Sequence, residues 1–218
     1  YIGAEMCSCL QDLCREEQRK MLVLLACGTA SFRDFRLDYY SDAVDSKYGA
    51  SPRDIMKLNF EKCRRYATTF TENSGNLMFI GGTGLGKTFL AACIARTVAD
   101  SGYSVVYESA NHLFSRMEQA KFGGDEEAKA YVQRYQACDL LIIDDLGTEM
   151  PGQFTTAALY SLLNDRLLQG KSMVISTNLT IEEFERRYNR QIASRLRGSY
   201  TRLAFLGDDI RVIKNRRG

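Results

Sequence analysis

Eight consecutive residues in this chain have the types and spacing to hold a string of phosphates: Gly81-Gly82-Thr83-Gly84-Leu85-Gly86-Lys87-Thr88. They satisfy G-x-x-x-x-G-K-[ST] without a mismatch. Gly81, Gly84 and Gly86 let the backbone curl until successive N–H groups converge on phosphate oxygens, where side chains would collide. Lys87 supplies a point charge for the β- and γ-phosphates, and Thr88 a hydroxyl for Mg²⁺. A glycine-rich turn alone would mean little, because turns use glycine for steric reasons. The full octet between a strand and a helix is specific.

A second group stands downstream. Leu140-Leu141-Ile142-Ile143 ends in Asp144-Asp145. An acidic pair after a strand is often only a turn. Downstream of a complete phosphate loop it reads as the partner signature, with Asp144 holding Mg²⁺ through water and Asp145 orienting and polarising the attacking water. Asn178 closes the next apolar run, where it can hydrogen-bond that water or the γ-phosphate; the plainer alternative is a turn or cap residue.

These groups need rigid elements behind them. Asn76 to Ile80 reads as a buried strand before the loop, and Phe89 to Ala99 as the helix after it, which adds the positive end of its dipole. Tyr103 to Glu108, Leu140 to Ile143 and Lys171 to Thr177 read as further strands. Helices alternate with them, as a parallel α/β sheet demands. In such sheets ligands sit at the carboxyl ends of strands, which brings the acidic pair beside the phosphate loop. Asn111 to Lys121 and Glu126 to Gln136 read as two helices, more than a minimal crossover needs. Phe154 to Leu168, Thr180 to Tyr188 and Arg190 to Arg197 are helical in pattern. Tyr200 to Leu206 and Ile210 to Ile213 read as closing strands.

Upstream, Ser51-Pro52 starts a helix by capping and a proline at its first position. The domain boundary falls near Ala50, giving an N-terminal region over residues 1–50 and a main domain over 51–218. Leu10 to Cys27 reads as a helix. Ser31 to Tyr48 is loop-like and rich in aromatics, which either pack the linker onto the domain or line a base pocket.

The chain has 218 residues and a net charge of +2, too small to argue for nucleic acid by itself. Arg186, Arg187, Arg190, Arg195, Arg197, Arg202, Arg211, Lys214, Arg216 and Arg217 crowd the C-terminal end. No apolar run is long enough to span a membrane. Seven cysteines, an odd number set mostly inside elements, suggest reduced thiols and a cytoplasmic protein. Cys7-Ser8-Cys9 cannot make a four-ligand zinc site alone. It is either two ordinary thiols or half of a site whose first pair precedes Tyr1. A chain that starts with Tyr1 rather than Met is expected to be a fragment.

With GGTGLGKT, LLIIDDLG, Ser176-Thr177-Asn178 and RQIASRLRG in this order, the chain resembles the AAA+ ATPases, P-loop NTPases of three-layer α/β fold. It is most similar to the bacterial replicative-helicase loaders of the DnaC and DnaI type and to the IstB-type transposition ATPases. The resemblance covers roughly Phe32 to the C-terminus and implies ATP with Mg²⁺, held by the octet and Phe89 beside it. It implies that Asn178 is sensor 1, that Arg195 is an arginine finger reaching a neighbouring subunit's ATP, and that Arg211 is a candidate sensor 2, with no room for a separate helical lid. On residues alone Arg195 could equally be a surface ion pair. The two helices between Asn111 and Gln136 resemble the insertion of initiators and loaders, which biases assemblies towards a spiral. The N-terminal cysteines resemble the tail of a helicase-binding region. Where the wider family has Glu, this chain has Asp145, one methylene shorter, so slow turnover is expected. The implied partners are a replicative DNA helicase, single-stranded DNA and further copies of the chain. The alternatives are a transposition helper that binds duplex DNA and a transposase, or an ATP-binding switch that scarcely hydrolyses.

Overall fold

A computed structural model describes residues 28–46 and 48–217. Five parallel strands form one sheet: β1 (Asn76–Ile80), β2 (Val105–Ser109), β3 (Leu140–Leu146), β4 (Ser172–Thr177) and β5 (Tyr200–Ala204). Their order across the sheet is β2-β3-β4-β1-β5. The helices are α1 (Pro52–Thr68), α2 (Lys87–Asp100), α3 (Ala110–Glu118), α4 (Glu126–Ala137), α5 (Gln153–Leu168), α6 (Ile181–Arg187), α7 (Arg190–Ser199) and α8 (Ile210–Arg217).

Strand periodicity divides the core. Leu77, Phe79, Leu140, Ile142 and Val174 face α1 and α2, together with Tyr40 from the aromatic segment. Met78, Leu141, Ile143, Met173 and Ile175 face the other way, onto residues of α3 to α7. Every central strand is apolar on both sides because both sides are covered, which makes three layers. Among the described residues only α8 follows β5, and no separate helical domain stands beside the sheet. No helix among them is long and apolar enough to cross a membrane.

Two polar hubs fix the end of the sheet where β2, β3 and β4 begin. Arg166 of α5 is fully buried. Its guanidinium donates to the carbonyls of Tyr135 at 2.7 Å and Cys138 at 3.0 Å, at the exit of α4, and to that of Ser172 at 2.7 Å. Asp139 accepts from the Ser104 amide at 2.9 Å and pairs with Lys171 at 2.9 Å. Burial opposes that charge, yet the Ser104 and Lys171 hydrogen bonds hold the Asp139 carboxyl below the usual carboxylate range.

The expected strand at Ile210 to Ile213 is a helix instead. Asp209 accepts from the Arg211 amide at 2.8 Å, a capping bond that starts α8. Four residues, three of them apolar, are too few for periodicity to separate strand from helix. The crossover between β2 and β3 does hold two helices, joined by a π-helical turn over Gln119–Gly123 and Gly124 in the left-handed region. The helix expected over Leu10 to Cys27, and Cys7 and Cys9, lie outside the described residues.

Candidate functional site

Strand order explains the site. β4 lies between β1 and β3, so three strand tips stand in a row: the phosphate loop after β1, Asn178 after β4, and the acidic pair on β3. Lys87 is buried at the start of α2. Its Nζ donates to the Gly81 carbonyl at 2.8 Å, the Gly82 carbonyl at 2.6 Å and Asn178 Oδ1 at 2.7 Å. Burial lowers the Lys87 pKa, and the neighbouring Asp145 and Asp144 oppose that shift. Gly84 and Gly86 have φ of +70° and +88°, backbone that a side chain would strain.

Asp144 is 7% exposed and held from three directions. Thr88 Oγ1 donates to its Oδ1 at 3.3 Å, Ser176 Oγ to the same oxygen, and Tyr107 OH to Oδ2 at 2.7 Å. The Ser176 hydroxyl also accepts from the Asp145 amide at 2.9 Å. In the sequence Tyr107 carries no signal, and Ser176 stands out only as part of the Ser176-Thr177-Asn178 motif, with no role of its own. They belong to the strands flanking β3, and the signal that could have found them is a polar residue facing the acidic pair across the sheet.

Asp145 adopts φ +54°, and among the described residues it is the non-glycine with positive φ. The β3–β4 register shifts between Ile143 and Leu146, so the acidic pair sits on a bulge. Bulges near reactive groups re-aim side chains. Burial, then the Asp144 charge, raises the Asp145 pKa, while Lys87 and Arg211 pull it back.

These tips open into a cavity of about 540 Å³. Residues Thr83 to Phe89 of the loop and α2, Asp145 and Asn178 line one end. Phe35, Tyr39, Tyr40, Ile210, Arg211 and Lys214 line the rest. The aromatic segment thus does wall the cavity, and it packs on the core as well: the Phe35 ring stacks with Phe60 at 5.2 Å and Tyr40 is 1% exposed. Lys214 lies over the Tyr39 ring at 5.5 Å. A volume of this size suits a nucleotide. The residues fit a triphosphate and a hard cation: left-handed glycines with a buried ammonium, and a hydroxyl beside a carboxylate, the oxygen donors Mg²⁺ prefers. No group of three or more metal-ligating side chains occurs among the described residues.

Arg195 does not line this cavity. It sits on α7 against α5, where its guanidinium donates to Tyr160 OH at 2.8 Å and Asn164 Oδ1 at 3.0 Å, with its carbon 4.3 Å from the Tyr160 ring centroid. Other C-terminal arginines have local partners: Arg187 meets buried Glu149, and Arg190 and Arg197 meet Glu185.

Strand tips, loop and cavity define a nucleotide-binding protein of the P-loop, AAA+ fold. The sequence profile of the IstB-like ATP binding proteins matches residues 47–195, more than half of the chain. The chain belongs to that family. It is 27% identical over 144 residues to the ATP-binding protein of insertion sequence IS232 from Bacillus thuringiensis subsp. berliner, a match covering 66% of this chain and 54% of that one. It is 24% identical over 154 residues to the replicative helicase loader DnaC of Escherichia coli strain K12, covering 71% and 60%. The matched part is therefore about half to three fifths of these curated relatives' length. A crystal structure of the DnaC helicase loader superposes with a TM-score of 0.67 at 18% identity, covering 83% of this chain and 98% of that one. The protein is thus an IstB-like ATP-binding protein of AAA+ fold.

Proposed function

We propose that the protein is a Mg²⁺-dependent ATPase that acts as a loader for a replicative DNA helicase. The observation that carries the ATPase reading is the convergence of Lys87, Thr88, Asp144, Asp145 and Asn178 at adjacent strand tips. Lys87 and the loop amides bind the β- and γ-phosphates. Thr88 and Asp144 hold the cation, which supplies charge neutralisation at the phosphoryl group being transferred. Asp145, re-aimed by the bulge, accepts a proton from the attacking water, and Asn178 positions that water. Arg211, on the cavity wall, is a candidate contact to the phosphates. Arg195 lies outside the cavity of its own chain, which supports its action on a neighbouring copy's nucleotide. Hydrolysis then depends on self-association.

The loader reading draws on the DnaC relative and on a surface suited to single-stranded DNA. Phe122 is 68% exposed, and its ring lies 5.5 Å from that of Phe154. Lys121 Nζ stands 5.3 Å from the first ring and 5.5 Å from the second. An exposed ring beside a cation can stack a base while the cation neutralises phosphate. On this reading residues 1–50 belong to a helicase-binding region and 51–218 form the ATPase domain, with Cys7 and Cys9 contributing to zinc only as part of a four-ligand site. The IS232 relative supports a second reading, a transposition helper acting on duplex DNA with a transposase. A pull-down from host extract, with and without ATP, separates them: the replicative helicase is expected, and recovery of a transposase would establish the second reading.

A further inference from the structure

The outward side of the phosphate loop is gripped by two segments far away in the chain. The Tyr40 hydroxyl donates to the Leu85 carbonyl at 3.0 Å. The Ile210 amide donates to the Gly84 carbonyl at 3.0 Å. In a trans peptide the C=O and N–H point in opposite directions. Tying the Leu85 carbonyl to Tyr40 therefore aims the Gly86 N–H away from Tyr40, and tying the Gly84 carbonyl to Ile210 aims the Leu85 N–H away from α8.

Tyr40 is itself firmly seated. Arg53 Nε donates to its carbonyl at 2.9 Å, and Arg53 Nη1 pairs with Asp42 at 2.5 Å. Phe35 stacks on its ring at 5.9 Å. A Cβ at Gly207 would come within 3.2 Å of the ring, and one at Gly86 within 3.0 Å of the hydroxyl. Glycine at both positions lets this tyrosine reach the loop. Burial pushes its phenol pKa well up, so the hydroxyl remains a proton donor across the physiological range.

We infer that Tyr40 is a positioning residue for triphosphate binding, holding the Leu85–Gly86 peptide so that its amide faces the phosphates. The inference rests on the nucleotide-binding reading above. Its signature is selective: the hydroxyl acts on the phosphates through the loop, while the ring stays as cavity wall.

The test uses the 218-residue chain and its Tyr40→Phe variant, with affinities for ATP, inorganic tripolyphosphate and adenosine measured by calorimetry or competition. Removing the hydroxyl leaves the Leu85 carbonyl unpaired and the peptide free to turn. ATP and tripolyphosphate are expected to weaken together, about tenfold, with adenosine unchanged within twofold. Equal weakening of adenosine would mean that Tyr40 serves the base or the fold at large, and would overturn the inference. Unchanged tripolyphosphate affinity would overturn it too. Binding of ATP by the parent chain, and its loss in Lys87→Ala, reports on the site itself, so a failure of the site is distinguishable from a failure of the tether.

Discussion

The phosphate end of the cavity and the Arg195 surface differ in how complete they are. At the first, polar groups meet one another within the chain: Lys87 meets Asn178, and Thr88, Ser176 and Tyr107 meet Asp144. At the second, a guanidinium is held by Tyr160 and Asn164 on the flank of α5, away from that cavity. On the proposed reading the contrast separates binding from catalysis: one chain would hold the nucleotide, and Arg195 would serve a neighbouring copy.

Arg195→Ala tests this division most severely. Assembly-dependent ATP turnover is expected to fall about 10³-fold, while ATP affinity of the isolated chain stays at the parent value. Parent-like turnover at every protein concentration would mean that Arg195 only braces α7 on α5. Lys87→Ala should have the opposite profile, weakening ATP binding by about 100-fold or more in a single chain. Retained affinity in a binding titration would remove the phosphate-loop assignment.

Ser176→Ala sharpens the picture within the first region. It removes a hydroxyl that touches both Asp144 and the Asp145 amide, and about tenfold weaker Mg²⁺ dependence of ATP binding is expected. If a Mg²⁺ titration is unmoved, Asp144 does not face the cation. The smallest effect is on pH dependence. Burial and Asp144 raise the Asp145 pKa, so this carboxyl stays protonated to higher pH than an ordinary aspartate. Turnover should fall, as pH is lowered, earlier than a solvated aspartate would dictate. Asp145→Asn should lack that acid limb; a limb that persists belongs to another group.

Much of this was legible in the residue order because the phosphate loop and acidic pair are local. Their chemistry is written in consecutive residues, and the strand–loop–helix context follows from apolar runs on either side. What escaped lies across strands. Tyr107 and Ser176 reach Asp144 only because β2 and β4 flank β3, and neighbour relations in a sheet leave no mark in either strand's own sequence. α8 is not legible as a helix because Ile210-Arg211-Val212-Ile213 fits either period, and the decisive cap, Asp209, reads equally well as a turn residue. The aromatic segment showed that its rings would be used, but not that Tyr40 would meet the loop backbone.

The hubs at Arg166 and Asp139 have a consequence for motion. They bind the starting ends of β2, β3 and β4 to the exit of α4, through a buried guanidinium and a partly buried carboxylate. Amides there should exchange with deuterated water only when the whole domain opens, whereas the amides of Gly147, Asn178 and Leu179 should exchange through local fluctuations. Such a pattern would mean a sheet anchored at its floor and looser at its brim, where a change could reach the helices around it without disturbing the base on which they stand.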